Sequence, residues 1–235
     1  MSREIGIMLD GATLEEVADF ATNDSIEGFT SNPSLMKAAG VEKYEVFARE
    51  AIELAGLKSF SFEVVSDDSD AMIREAKIIS SWGENVFVKI PVTDSAGKPT
   101  VEVIKACRSE GIKVNVTALF SRTQVDSVVT ELAGGPEAFI SVFAGRIADT
   151  GVDPSPEVEY AVRACDDAPG VRVIWASTRE VFNIYQAQSV GCHVITVPSS
   201  LFRKYVENRA KSLEDYSLET VQMFVNDARS AGLSI

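Results

Sequence analysis

Short apolar runs alternate with amphipathic stretches along almost the whole of this chain, and that alternation limits its fold more than any other feature. The runs are Ile5–Leu9, Gly28–Thr30, Phe60–Val65, Val86–Ile90, Lys113–Thr117, Phe139–Phe143, Val171–Ala176 and His193–Val197. Between them lie stretches of helical periodicity: Leu14–Thr22, Lys43–Ala55, Asp70–Trp82, Thr100–Glu110, Arg122–Leu132, Pro156–Cys165, Glu180–Ser189 and Leu201–Ala210. Start and stop signals agree with this division. Thr13 with Glu16 has the capping-box pattern, Asp68 or Ser69 can cap a helix, and Gly40, Gly56, Gly83, Gly111, Gly134 and Gly191 follow helical runs. Runs apolar on both faces suit a parallel sheet covered by helices. Eight strand–helix units, about 20 to 33 residues apart, read as an α/β fold of the (β/α)8 TIM-barrel kind. The alternative is an open doubly wound sheet, but the Gly-x-Gly-x-x-Gly turn of a dinucleotide fold is missing. No repeat or linker interrupts the pattern, so residues 1–235 are expected to form a single domain, with Leu218–Ala231 as an extra C-terminal helix.

Within this frame the run Val86–Thr93 is unusual. A single lysine, Lys89, interrupts an apolar strand and is followed by Ile90 and the strand-ending Pro91. A buried ammonium without a partner would have its pKa depressed, and the neutral amine could then attack a carbonyl and form a Schiff base. The competing reading is a lysine whose head snorkels from the strand end into water. Composition narrows the rest. A net charge of −13 argues against nucleic acid or an anionic membrane as partner. His193 is the only histidine and starts the eighth run, so it is expected at the end of the barrel away from chemistry. Cys107, Cys165 and Cys192 lack metal spacing and read as reduced core thiols. No metal site and no cofactor are expected. With no signal peptide or long apolar span in view, a soluble, cytoplasmic protein is expected.

In a barrel of this kind catalytic groups lie at the C-terminal ends of the strands. Polar residues gather there in nearly every unit: Asp10, Thr30-Ser31-Asn32-Pro33-Ser34, Glu63, Lys89, Asn115 with Thr117, Ser141 with Phe143 and Gly145-Arg146, and Ser177-Thr178-Arg179. Each also has a plain structural use, with Asp10 or Ser34 as helix caps, Asn32-Pro33 as a turn and Glu63 in a salt bridge. Burying so many polar groups at one end for structural purposes alone would be costly.

Leu9-Asp10, Thr30–Ser34, Val88–Thr93, Asn115–Ser121, Ser141–Ile147 and Ala176–Arg179 together resemble the transaldolase family, in order and over nearly the whole chain. The length is similar to that of the short subfamily, which also includes fructose-6-phosphate aldolases. The resemblance implies a class I aldolase barrel without metal, acting on sugar phosphates and assembling as a homo-oligomer. It implies Lys89 as the Schiff-base lysine and Asp10 as acid/base at the C3–C4 bond. Glu63 with Thr117 would hold a proton-shuttling water. Asn32, Asn115 and Ser141 would bind the dihydroxyacetone part, with Arg146, Ser177 and Arg179 on the phosphate. Ser34 and Phe143 complete the implied substrate-binding set. Two positions depart from the family pattern: Ser31 stands where a second threonine is usual, and Gly11 where a hydroxyl residue is common. The expected reaction is transfer of a dihydroxyacetone unit from a ketose phosphate to an aldose phosphate. The alternatives are an aldolase releasing free dihydroxyacetone and a barrel without chemistry acting as a binding or assembly subunit. The aldolases carry glutamine and tyrosine where this chain has Glu63 and Phe143, which favours transfer.

Overall fold

All eight apolar runs become strands in the computed structural model of the protein, which describes residues 4–11 and 13–233. They are β1 (Gly6–Asp10), β2 (Gly28–Thr30), β3 (Ser59–Glu63), β4 (Val86–Pro91), β5 (Val114–Leu119), β6 (Ala138–Val142), β7 (Val171–Trp175) and β8 (Val194–Val197). Each pairs in parallel with its sequence neighbours, and β8 returns to β1, so the sheet closes as the expected (β/α)8 barrel. The described helices that follow the strands are α1 (Leu14–Phe20), α2 (Pro33–Ala38), α3 (Tyr44–Ala55), α4 (Ser69–Ser80), α5 (Val101–Ser109), α6 (Arg122–Leu132), α7 (Ala144–Ala148), α8 (Ser155–Ala164) and α9 (Phe182–Ser189). Local signals explain their ends. Thr13 accepts from the Glu16 N–H, Asp68 from the Ala71 N–H, and Ser121 with Gln124 forms a full capping box. The helices α2 and α7 escape a periodicity reading because neither spans two turns.

Alternation along the strands divides the barrel. Outward residues such as Ile7, Phe60, Phe62, Val88, Ile90, Val116, Val173 and Ile195 are buried against the helical layer. Inside the barrel, Met8, Phe87, Phe139, Ile174, Ala176 and Val194 form one buried cluster, with the Phe87 and Phe139 ring centroids 4.6 Å apart. Each large side chain buried here contributes about 1.5–3 kcal/mol. His193 lies where expected, at the N-terminal end of β8. Its Nδ1 accepts the Val173 N–H at 2.9 Å, a structural use. Three buried cysteines carry free thiols.

The described residues from Ser200 onward form a second compact unit, holding most of α10 (Ser199–Asn208) and all of α11 (Leu213–Ser230). The extra helix thus starts at Leu213 rather than the expected Leu218. Ser212 accepts the Asp215 N–H, and Glu214 and Asp215 place negative charge in the first turn, which favours the earlier start. None of the residues of α11 is buried, and Leu213, Tyr216, Leu218, Val221, Met223, Phe224 and Val225 are exposed. Among the described residues no helix is long and apolar enough to cross a membrane.

Candidate active site

Above the apolar cluster the same inward alternation presents polar groups. Register sets Asp10 opposite Thr30, Glu63 opposite Lys89, and Lys89 opposite Asn115. A polar mouth therefore rests on an apolar floor, and water has little access from below.

Lys89 is only 5% exposed. Its Nζ donates to the Ser31 carbonyl at 2.8 Å and lies 3.1 Å from Glu63 Oε2. The ammonium is therefore buried with partners and does not snorkel from the strand end into water. The parallel register brings Glu63 beside it, and the chain leaving β2 turns the Ser31 carbonyl toward it. Glu63 is held from behind: the Tyr44 hydroxyl of α3 donates to the Glu63 carbonyl at 2.8 Å. Tyr44 packs edge-on against Trp82, with ring centroids 5.4 Å apart, and burial pushes its phenol far above the usual range.

Asp10 ends β1, where its Oδ1 accepts the Thr30 hydroxyl at 2.9 Å. Burial raises its carboxyl above the usual carboxylate range. The Lys89 charge and then the Thr30 hydrogen bond oppose that rise, and the Glu63 charge adds to it. Asn115 is fully buried and clamped at both ends, donating to Ser61 Oγ at 3.1 Å and accepting from Ser141 Oγ at 2.8 Å. Those two hydroxyls hold the amide in place across the barrel mouth. Thr117 is also buried, and its Oγ1 has no hydrogen-bond partner among the described residues. The next residue, Ala118, has φ 60°, and the β5–β6 register slips there. An alanine in the left-handed region costs about 1–2 kcal/mol, strain sited directly beside Thr117.

The rim carries the remaining residues. Phe143 packs against the apolar cluster and lies 5.8 Å from the Phe120 ring, with the exposed Arg146 guanidinium 5.3 Å over its face. Arg179 is half exposed and its guanidinium is 2.6 Å from Asp149, so a resident carboxylate already occupies it. Ser177 has φ 62°, and its carbonyl lies 1.6 Å from where a Cβ on Gly145 would stand. Only glycine permits this approach of the two rim segments. Asn32 caps α2 by accepting the Leu35 N–H at 3.0 Å, while its Nδ2 makes no hydrogen bond among the described residues. Ser34 is exposed in the first turn of α2. Beside Gly11 stands the Glu16 carboxylate, 3.1 Å from where a Cβ would lie, and it accepts the hydroxyls of Thr13 and Ser199.

Sequence reasoning passed over several contributors: Thr30 as the partner of Asp10, Ser61 as the partner of Asn115, Tyr44 behind Glu63, and Thr196. Strand parity could have found two of them. Ser61 is two residues before Glu63, and Thr196 is the one polar position inside an otherwise apolar β8. Nothing in the sequence pointed to Tyr44. Among the described residues no group of three or more His, Cys, Asp or Glu side chains converges as metal ligands.

Residues 7–235 match the model of the family described as Transaldolase/Fructose-6-phosphate aldolase. A protein named "Probable transaldolase" from Thermoanaerobacter sp. is 33% identical over 228 residues, covering 97% of this chain and 98% of its own. Another of that name from Hyphomonas neptunium is 33% identical over 233 residues, with coverage of 97% and 98%. Among solved structures, KGPDC from Streptococcus mutans superposes with a TM-score of 0.57 at 11% identity, covering 84% of this chain and 89% of that one. At that identity the likeness speaks for the barrel fold alone.

Proposed function

The chain belongs to the transaldolase/fructose-6-phosphate aldolase family, and from that premise we propose that it is a transaldolase moving a dihydroxyacetone unit between sugar phosphates. The observation that carries this reading is the buried Lys89 amine 3.1 Å from Glu63, with the Thr117 hydroxyl, which has no partner among the described residues, in the same mouth.

In this reading Glu63 takes a proton from Lys89, directly or through one water also bound by Thr117. The free amine attacks the C2 carbonyl of fructose 6-phosphate and gives a carbinolamine. A proton returned from the Glu63 side converts the departing hydroxyl into water, which leaves the Lys89 imine. Asp10 then removes the C4 hydroxyl proton, the C3–C4 bond breaks, and the electron pair passes into the imine to form an enamine. The aldose phosphate leaves. When an acceptor aldehyde such as erythrose 4-phosphate arrives, the enamine carbon attacks it, and Asp10 returns its proton to the new alkoxide. Hydrolysis of the imine releases the product. The iminium is the electron sink, so no step calls for a metal. Asn115, held by Ser61 and Ser141, and the Asn32 amide are the donors and acceptors for the dihydroxyacetone hydroxyls. Arg146, Ser177 and Arg179 receive the phosphate, Arg179 on releasing Asp149.

Transfer rather than release rests on Phe143. It offers no hydroxyl that could protonate the enamine or orient water toward it. The test compares initial rates from fructose 6-phosphate with and without erythrose 4-phosphate, together with borohydride trapping of the adduct. Transfer much faster than dihydroxyacetone release, with the adduct on Lys89, is expected. Equal rates would favour the aldolase alternative, and an adduct on Lys113 or Lys105 would remove Lys89 from its role. The same reading includes a cytoplasmic location and a homo-oligomer, in which partner copies would cover the exposed apolar residues of α11. A monomer in light scattering would contradict the second.

A further inference from the structure

Thr30 and Thr196 come from the two strands that flank β1, and their hydroxyl oxygens meet at 2.7 Å inside the barrel. Both residues are buried, so bulk water does not replace either partner. A threonine hydroxyl has one proton to give. Thr30 gives its proton to Asp10 Oδ1, so the 2.7 Å contact must carry the proton of Thr196. Thr196 is itself anchored, because its carbonyl accepts the Thr178 hydroxyl at 2.7 Å.

We infer that Thr196 is a positioning residue for Asp10, acting through Thr30 by a one-way chain of hydroxyl donors. The inference rests on the reading of Asp10 as the acid/base group. The chain commits Oδ1 to a permanent hydrogen bond and leaves Oδ2 to exchange the C4 hydroxyl proton. Donation from Thr196 polarises the Thr30 hydroxyl and strengthens its bond to the ionised carboxylate. Burial works in the opposite direction, so the chain helps to keep Asp10 a usable base. The charged groups near Asp10 are Lys89 on β4 and Glu63 on β3, with Glu16 of α1 beside Gly11. A substitution at Thr196 on β8 alters none of them.

The experiment follows the Asp10 carboxyl in protein labelled with 13C at the aspartate side chains, the signal being assigned with Asp10→Asn. Thr196→Val keeps the shape and loses the donor, Thr196→Ala is a second variant should valine perturb packing, and Thr196→Ser keeps the donor. The Asp10 titration midpoint should rise by about half a pH unit in the valine and alanine variants, as expected for losing one supporting hydrogen bond. In the serine variant it should return to the wild-type value. In turnover, kcat should fall roughly fivefold at neutral pH with KM changed by less than about twofold, and the acidic limb should move upward with the titration. An unchanged midpoint in both the valine and alanine variants overturns the inference, as does a serine variant that behaves like valine. A wild type that turns over no sugar phosphate would remove the functional reading, while the titration would still decide the relay.

Discussion

Replacing Lys89 with methionine keeps the length and apolar stem of the side chain and removes its charge. In the wild type the ammonium lies between Glu63 and the Ser31 carbonyl, and it is the largest influence holding down the Asp10 carboxyl against burial. Without it, Asp10 and Glu63 face each other in a mouth with little water. The cost has a ceiling, because Asp10 can accept a proton instead of remaining charged. Protonating a carboxyl of ordinary pKa, about 3.9, at pH 7 costs about 4 kcal/mol, so Asp10 contributes at most that much. Loss of the donor to Ser31 adds about 1 kcal/mol at every pH. The direction with pH follows from the raised folded-state pKa. Between the unfolded and folded values the native chain holds a proton that the unfolded chain has released. Stability linked to Asp10 is therefore complete below about pH 4 and is lost as pH rises through the folded value. Lys89→Met raises that folded value further and widens the loss toward neutral pH. At about 2–4 °C per kcal/mol for a chain of this size, the melting gap between variant and wild type should grow from a few degrees near pH 4 toward, at most, about 10–20 °C at pH 7. Circular-dichroism melts at closely spaced pH values measure it. A gap constant across that range would refute the electrostatic account of the Lys89–Glu63–Asp10 cluster.

Arg179→Ala should raise KM for phosphorylated donors roughly five- to thirtyfold, a charged contact discounted for exposure, and leave unphosphorylated fructose nearly unchanged. Equal losses for both substrates would make Arg179 structural. Gly145→Ala should destabilise the fold by about 3 kcal/mol in urea titrations, because a Cβ there meets the Ser177 carbonyl backbone. A neutral result would mean that the two rim segments part easily. Phe143→Tyr, alone or with Glu63→Gln, should raise dihydroxyacetone release relative to transfer, read as the ratio of initial rates with and without acceptor. No change in that ratio would mean that the enamine's fate is set elsewhere.

The barrel was legible in the sequence because strand and helix periods are local properties. Apolar runs, caps such as Thr13 and Asp68, and glycines such as Gly111 and Gly191 mark element ends with no knowledge of neighbours. The identity of most of the polar mouth was legible too, since strand parity and the strand-end position select Asp10, Glu63, Lys89, Asn115 and Thr117. Which of those groups touch was not legible, for contacts across a barrel depend on register between segments far apart in the chain. Glu63 and Lys89 are 26 positions apart, and it is the β3–β4 pairing that sets them side by side. The sequence allowed Lys89 to be a lone buried amine, whereas the tertiary structure gave it a carboxylate and a carbonyl. It likewise turned Arg179 toward Asp149, used the amide oxygen of Asn32 as a helix cap, and joined Thr196 to Thr30 across β1. A side chain's type is written in the chain, but its protonation and its partner belong to the space that folding creates around it.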